Sequence, residues 1–279
     1  MSNKKVWFVT GASKGLGLSL VKKLLQEGYR VAATSRNLAE LAEAVGDNSE
    51  SFLPLAVDLP NEKSVHDAIT KTAETFGSVD VVVNNAGYGL IGGLEELTDA
   101  EARANFEVNV FVSLNVIRQA LPLLREQGSG HIMNVSSIGG FTGMFPGFGI
   151  YCATKFAVQG FTESLAEEVK ALGIKATIVS PGYFRTSFLT QDSLRTPTHP
   201  IAAYEAVRQS MSFHQNNMDG NQPGDPDKAA DVMIKAAESE NPPLHLFLGQ
   251  DAYDIAYQKI EAVKGDLEAW KALTTSTGF

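Results

Sequence analysis

Residues 6–17 read Val6-Trp7-Phe8-Val9-Thr10-Gly11-Ala12-Ser13-Lys14-Gly15-Leu16-Gly17. Four apolar residues run straight into a turn containing three glycines, and a stretch of helical period, residues 16–28, begins inside that turn. A strand that passes through glycines directly into a helix makes a seat for an anion. Glycine lets the backbone turn tightly and approach closely, while the free amides and positive dipole end of the helix face negative charge. The spacing is Gly-x-x-x-Gly-x-Gly, not the Gly-x-Gly-x-x-Gly of the common dinucleotide turn. By itself the turn is therefore equally compatible with a plain strand-to-helix connection.

Outward from this unit, short apolar runs at 6–10, 30–35, 51–57, 79–84, 130–135 and 174–180 alternate with helical periods at 16–28, 61–76, 102–127 and 152–172. Runs rich in valine, isoleucine and alanine, without polar alternation, suit strands covered on both faces. With one more strand at 244–248, the pattern predicts an α/β protein with a single doubly wound Rossmann fold. The expected sheet is mostly parallel and seven-stranded, with helices on both faces. No fixed repeat or linker-like stretch divides the chain before residue 185, so residues 1–279 are expected to form one domain. At about 186–226 the rhythm changes to polar and aromatic residues with prolines and glycines and no strand pattern, as in a substrate lid. Asp225 and Pro226 mark a cap and first position for a helix reaching residue 238. In the tail, about 250–279, Ala252, Ala256, Ile260, Val263, Leu267 and Trp270 recur at helical spacing. That stripe is expected to pack on the body, with a partner subunit as the alternative.

Composition removes several function classes. The 279 residues are 44% hydrophobic and 20% charged, ordinary for a chain that buries one large core, which excludes intrinsic disorder. Lysine and arginine number 23 against 32 acidic residues, a formal charge of −9 with no basic cluster, so nucleic acid is not an expected partner. Cys152 is the only cysteine; it can form no internal disulfide, reads as a small buried hydrophobe and fits a reducing, cytoplasmic compartment. Lys4 and Lys5 precede too short an apolar run for a signal peptide, and no run approaches the roughly 18 residues of a membrane span. His66, His131, His199, His214 and His245 are scattered, without metal-ligand spacing or a nucleophile elbow, so each is expected at the surface or satisfied in the core.

At the end of the second strand, where an NAD site places an acid for the ribose hydroxyls, the chain has Ser35-Arg36. A carboxylate would repel a 2′-phosphate, whereas Arg36 can grip one bidentately and Lys14 adds a second charge beside the glycine turn. NADP(H) is therefore expected in preference to NAD(H). Tyr151 and Lys155 lie four apart at the start of a helix and share a face. A fixed ammonium favours the phenolate of a neighbouring tyrosine, whose ordinary pKa near 10 otherwise makes it a poor proton shuttle. Asn134-Val135-Ser136-Ser137 and Asn84-Asn85-Ala86-Gly87 close two other strands, and Asn109 lies in the long helix. All fall at the carboxyl edge of the expected sheet, where ligands bind in open α/β folds.

In these motifs and their order the chain resembles the short-chain dehydrogenase/reductase family, over about residues 5–186, in its main branch of roughly 250-residue oxidoreductases. The string Tyr-Cys-Ala-Thr-Lys, the Gln-Pro-Gly-Asp-Pro segment and the Asp-Ala-Tyr tail are similar to NADP-linked relatives near the hydroxysteroid and retinol dehydrogenases. The resemblance implies that Tyr151 is the acid/base and that Lys155 lowers its pKa and bonds the nicotinamide ribose. It implies that Ser137, in preference to Ser136, holds the substrate oxygen, although its 14-residue gap to Tyr151 is one longer than the family's common spacing. Asn109 would anchor a water linking Lys155 to solvent. Gly11, Ser13, Gly15, Leu16 and Gly17 would take the phosphates, Asp58 and Leu59 the adenine, Asn85, Ala86 and Gly87 the adenosine ribose, and Pro181, Gly182 and Thr186 the nicotinamide amide.

Apolar side chains flank these motifs: Phe141, Met144, Phe145 and Phe148 before Tyr151, then Tyr183, Phe184, Phe188 and Leu189. They are expected to wall a pocket for an apolar ketone or aldehyde and its alcohol. Family members pair as homodimers or homotetramers through helices matching 102–127 and 152–172, and the same is expected here. A non-catalytic NADP(H)-binding sensor would have lost the tyrosine, lysine or serine, and all three are present.

Overall fold

The computed structural model describes residues 4–279, so the first three residues of the expected 1–279 unit lie outside the described residues. The chain runs β1 (Val6–Val9), α1 (Gly15–Gln26), β2 (Arg30–Ser35), α2 (Leu38–Val45), β3 (Phe52–Ala56), α3 (Glu62–Phe76), β4 (Val81–Asn84), β5 (Gly89–Leu90) and α4 (Asp99–Phe106). It continues through α5 (Val112–Gln127), β6 (Gly130–Val135), α6 (Gly149–Val169), β7 (Ile174–Pro181), β8 (Leu194–Arg195), α7 (Glu205–Ser212), α8 (Pro226–Glu238), β9 (His245–Leu248) and α9 (Gln250–Thr274).

Seven strands make one sheet in the order β3-β2-β1-β4-β6-β7-β9, and its pairings are parallel throughout. The expected α/β, doubly wound architecture is thus observed. Alternate residues of β1 serve opposite faces: Trp7 and Val9 join the core under α1 and α8, whereas Val6 and Phe8 join the core under α3 and α5. All four are fully buried, and each buried apolar side chain of this size contributes about 1.5–3 kcal/mol. The chain steps outward from β1 to β3 and then returns to β4 on the other side of β1. The carboxyl ends of β1 and β4 therefore flank the switch point where open α/β sheets bind ligands.

Local signals explain most boundaries. Asn61 caps α3 by accepting the Ser64 amide at 3.1 Å, and Thr98 with Glu101 forms a reciprocal capping box on α4. Asp225 accepts the Asp227 amide at 3.0 Å and Pro226 takes the first position of α8, as the sequence predicts. The single helix expected over 102–127 is instead α4, a π turn at Glu107–Phe111, and α5.

Three further differences stand out. Helix α2 falls in a stretch with no expected element, although Asn37 caps it and Gly46 ends it in the left-handed region, φ +70°. The 186–226 segment is not free of regular structure: β8 pairs in parallel with β5, and α7 passes into a second π turn at Phe213–Met218. The tail packs on the body only at its start. Ala252 and Ala256 dock beside Ile138, while Leu267 and Trp270 are 65% and 59% exposed. At about 1.5 Å rise per residue the 25-residue helix is about 37 Å long and outruns the patch available to it. Among the described residues no helix is long and apolar enough to cross a membrane.

Candidate functional site

A cavity of about 920 Å³ opens along the carboxyl edge of the sheet, from the glycine turn after β1 to the 186–226 insertion. Gly11, Ser13, Lys14, Gly15 and Leu16 line one end, followed by Ser35 and Arg36 after β2, and Asp58 and Leu59 after β3. Asn85, Ala86 and Gly87 line its middle, with Ser137, Tyr151, Lys155, Pro181, Gly182 and Thr186 beyond. The glycine turn is packed too closely for any other residue at two positions. Gly11 has φ +65° and a Cβ there would meet Ala86 Cα at 2.8 Å; at Gly17, behind the cavity wall, a Cβ would meet Asn85 Nδ2 at 2.4 Å. Asn85 Nδ2 occupies that space and donates to the carbonyls of Thr10 and Gly11 at 3.0 and 2.9 Å. Thr10 Oγ1 in turn accepts the amides of Asn85 and Ala86, which ties β1 to β4 across the switch point.

Helix α1 begins at this turn with no side-chain cap and no acidic residue in its first turn. Its first amides face the cavity with the helix dipole behind them, so the donor set fits a pyrophosphate. Lys14 and Arg36 are exposed, and among the described residues neither is held in an ion pair, while Glu40 and Asp58 line the same end.

At the middle of the cavity the sheet ends are held in register. Asn84 Nδ2 donates to Asn134 Oδ1 at 2.8 Å, and Asn134 Nδ2 donates to Thr162 Oγ1 at 2.8 Å. The two serines then divide. Both line the cavity, but Ser136 is buried with its Oγ donating to the Lys155 carbonyl at 3.0 Å, whereas Ser137 Oγ lies beside the Tyr151 phenol and accepts the Gly139 amide at 3.0 Å. Tyr151 is 8% exposed, and burial raises its phenol well above the ordinary tyrosine value, with the Ser137 hydroxyl acting the other way. Lys155 Nζ lies 5.9 Å from the Tyr151 ring centre and donates to the Val135 carbonyl at 2.9 Å. Burial pushes the lysine down to about 8. The pair therefore shares one buried wall, and desolvation is the largest influence on both groups.

Asn109 sits in the first π turn behind Gly87. Its Oδ1 accepts the Tyr88 amide at 3.0 Å, and its Nδ2 donates to the Tyr88 carbonyl at 3.0 Å and to Thr154 Oγ1 at 3.1 Å. The side-chain amide is thus committed to protein partners.

On the apolar side Phe145, Phe148, Tyr183, Phe184, Phe188 and Leu189 line the cavity. Phe141 and Met144 do not. The short helical turn Ile138–Gly140 sends Phe141 against Phe247, ring centres 5.2 Å apart, and Met144 is 60% exposed. His214, read as scattered, lines the cavity: its Nε2 is 2.8 Å from the Tyr183 hydroxyl and its ring packs 4.8 Å from Phe148. The insertion carrying it is anchored by Glu96, which accepts the amides of Gly93 and Ile201, each at 2.6 Å, and the Arg208 guanidinium. No spacing rule could have found these pairs, because their partners lie in distant segments. Among the described residues no three His, Cys, Asp or Glu side chains gather as metal ligands.

The family model for short chain dehydrogenases matches residues 5–196. The oxidoreductase BOA17 of Botryotinia fuckeliana is 35% identical over 274 residues, covering 98% of this chain and 99% of that one. Among solved structures, a short-chain dehydrogenase from Streptomyces avermitilis superposes with a TM-score of 0.90 at 35% identity, covering 100% of both chains. A short chain dehydrogenase from Burkholderia cenocepacia, in complex with NADP, has a TM-score of 0.73 at 28% identity, covering 96% of this chain and 98% of that one.

Proposed function

Because the chain belongs to the short chain dehydrogenase family, we propose that it is an NADP(H)-dependent oxidoreductase interconverting an apolar ketone or aldehyde and its alcohol. The observation that carries this reading is one cavity with an uncapped helix terminus at one end and Ser137, Tyr151 and Lys155 in its wall. When bound, the nicotinamide supplies or accepts the hydride at the substrate carbon.

The rest falls to this chain. The glycine turn and the α1 amides hold the pyrophosphate, and Arg36, Ser35 and Lys14 hold the 2′-phosphate. Asp58 and Leu59 border the adenine, Asn85, Ala86 and Gly87 the adenosine ribose, and Pro181, Gly182 and Thr186 the carboxamide. Ser137 and Tyr151 direct hydroxyls at the substrate oxygen, where negative charge develops during reduction. Burial keeps the Tyr151 phenol protonated at neutral pH, the form required to donate to that oxygen. Among the described residues Lys155 Nζ donates to the Val135 carbonyl alone, which leaves ammonium protons to bond a ribose hydroxyl and to stabilise the phenolate left behind. Asn109 anchors the water that returns a proton through Lys155; its Oδ1 and the lysine Nζ both lie against Gly87.

The same reading takes the chain as one domain, with the 186–226 insertion as a lid over the apolar half. It takes the protein as a cytoplasmic homodimer or homotetramer. Cys152 is buried and free, and Phe111 and Phe156, on the helical segments expected to pair, are 49% and 44% exposed. Light scattering on the purified protein checks the oligomer, and a monomer at micromolar concentration contradicts it.

The activity is tested by NADPH consumption with a panel of apolar and polar carbonyls. Wild type is expected to turn over bulky apolar members. Tyr151→Phe is expected to bind NADPH normally and lose roughly 10²- to 10⁴-fold in kcat. A preference for charged, sugar-like carbonyls, or full activity in the variant, contradicts the reading.

A further inference from the structure

The apolar half of the cavity contains a polar pair for which carbonyl reduction has no use. Tyr183 lies two residues past the end of β7, and His214 lies in the second π turn, yet the Tyr183 hydroxyl and His214 Nε2 are 2.8 Å apart. His214 Nδ1 is 2.7 Å from the Ser210 carbonyl. A carbonyl oxygen only accepts, so a neutral imidazole here carries its proton on Nδ1, and Nε2 is left as an acceptor. Burial favours that neutral form by lowering the His214 pKa, and it raises the Tyr183 phenol to about 12, so the phenol keeps its proton. The Tyr183 hydroxyl must then donate to His214. Its oxygen offers lone pairs, and no proton, to anything entering the cavity.

The surroundings make this polarity count. Phe148 and Phe188 line the cavity beside the pair, and Met211 and Met218 pack behind. An acceptor in such a wall favours a ligand carrying a hydrogen-bond donor, and it disfavours a carbonyl or ether oxygen, which would set two acceptors against each other.

We propose that Tyr183, oriented by His214, is a specificity-determining residue that accepts a hydrogen bond from a hydroxyl borne by the substrate away from the reacting carbonyl. The substrate class is then an apolar hydroxy-ketone or hydroxy-aldehyde. Tyr183 reads the donor; His214 is a positioning residue that fixes the direction of the phenolic proton. This rests on the carbonyl-reductase reading above.

The test uses matched apolar ketones that differ at one remote position, bearing hydrogen, hydroxyl or methoxy, with that position varied along the body. Wild type is expected to favour the hydroxyl member by roughly tenfold in kcat/KM at one spacing, with methoxy poorest. Tyr183→Phe is expected to bring the hydroxyl-to-hydrogen ratio to near one. His214→Phe leaves the Tyr183 proton without its acceptor, so the penalty on methoxy should fall or reverse. A merely structural latch would lower all three members together and leave their ratios intact. Equal use of hydrogen and hydroxyl members at every spacing, or an unchanged ratio in Tyr183→Phe, overturns the inference and leaves the reductase reading standing. If no member is turned over, the reductase reading fails. Equilibrium binding of the matched alcohols, followed by NADPH fluorescence, then decides the inference: tighter binding of the diol through Tyr183 supports it and equal binding overturns it.

Discussion

The two ends of the cavity are built from different materials. At the glycine turn the wall is mainly backbone: amides of α1, a close approach at Gly11 and Gly17, and carbonyls held by Asn85. At the insertion the wall is side chains, with Phe148, Tyr183, Phe188 and His214 arriving from three separate stretches of chain. Backbone at a helix terminus binds a phosphate whatever its neighbours are, and it resists change because no larger residue fits. A side-chain wall takes its selectivity from each group and depends on whatever holds those groups in place. Lys155 and Tyr151 stand between the two, with both polar heads buried at a cost in stability.

Removing that central pair's cation should produce the largest effect. Lys155→Met is expected to lower kcat by roughly 10²-fold or more and, by removing a buried ammonium, to raise stability at pH 7. The lysine's folded pKa of about 8 lies below its ordinary 10.5, so between these values the unfolded chain binds the extra proton. Its contribution therefore makes wild type more stable as pH rises from about 8. Denaturant unfolding of both proteins at pH 7, 8 and 9 should show the gap closing with pH; a constant gap would place Lys155 in a wetter setting.

The next two changes separate the ends. Arg36→Asp should raise the Kd for NADPH roughly 10- to 100-fold while moving that for NADH far less, as read by fluorescence titration with each cofactor. Equal weakening of both would remove Arg36 from the 2′-phosphate site. Glu96→Gln leaves Arg208 without its charged partner and loosens the insertion. We expect a loss of about 2–3 kcal/mol in unfolding free energy and a several-fold rise in KM for bulky carbonyls, with NADPH affinity within twofold. A matching loss of NADPH affinity would break the distinction between the two ends.

The same contrast explains what could be read from the sequence. Thr10 to Gly17, Asn84 to Gly87 and Tyr151 to Lys155 each place their groups within a single turn or strand end, so order and spacing carry the geometry. The strands were legible because buried parallel strands are unbroken apolar runs. Phe141 and Met144 were misplaced because composition cannot tell which way a short helical turn sends its side chains. His214 was unreadable, since one partner is 31 residues away and the other is a backbone carbonyl with no residue signature. Strands β5 and β8, two residues each, are too short to show any period. Helix α2 has its signals in Asn37 and Gly46, but at eight residues it is short for a helical period to show. The period of the tail was right, but periodicity fixes which residues share a face and leaves open whether the body reaches far enough to cover it.

The most direct test of the account is the fate of the hydride. With NADPH carrying deuterium on the transferred position at C4 and an apolar hydroxy-ketone as substrate, mass spectrometry should find one deuterium on the new carbinol carbon with wild type and almost none with Tyr151→Phe in the same interval. An alcohol product without the label, or NADPH consumed with no alcohol formed, would contradict it.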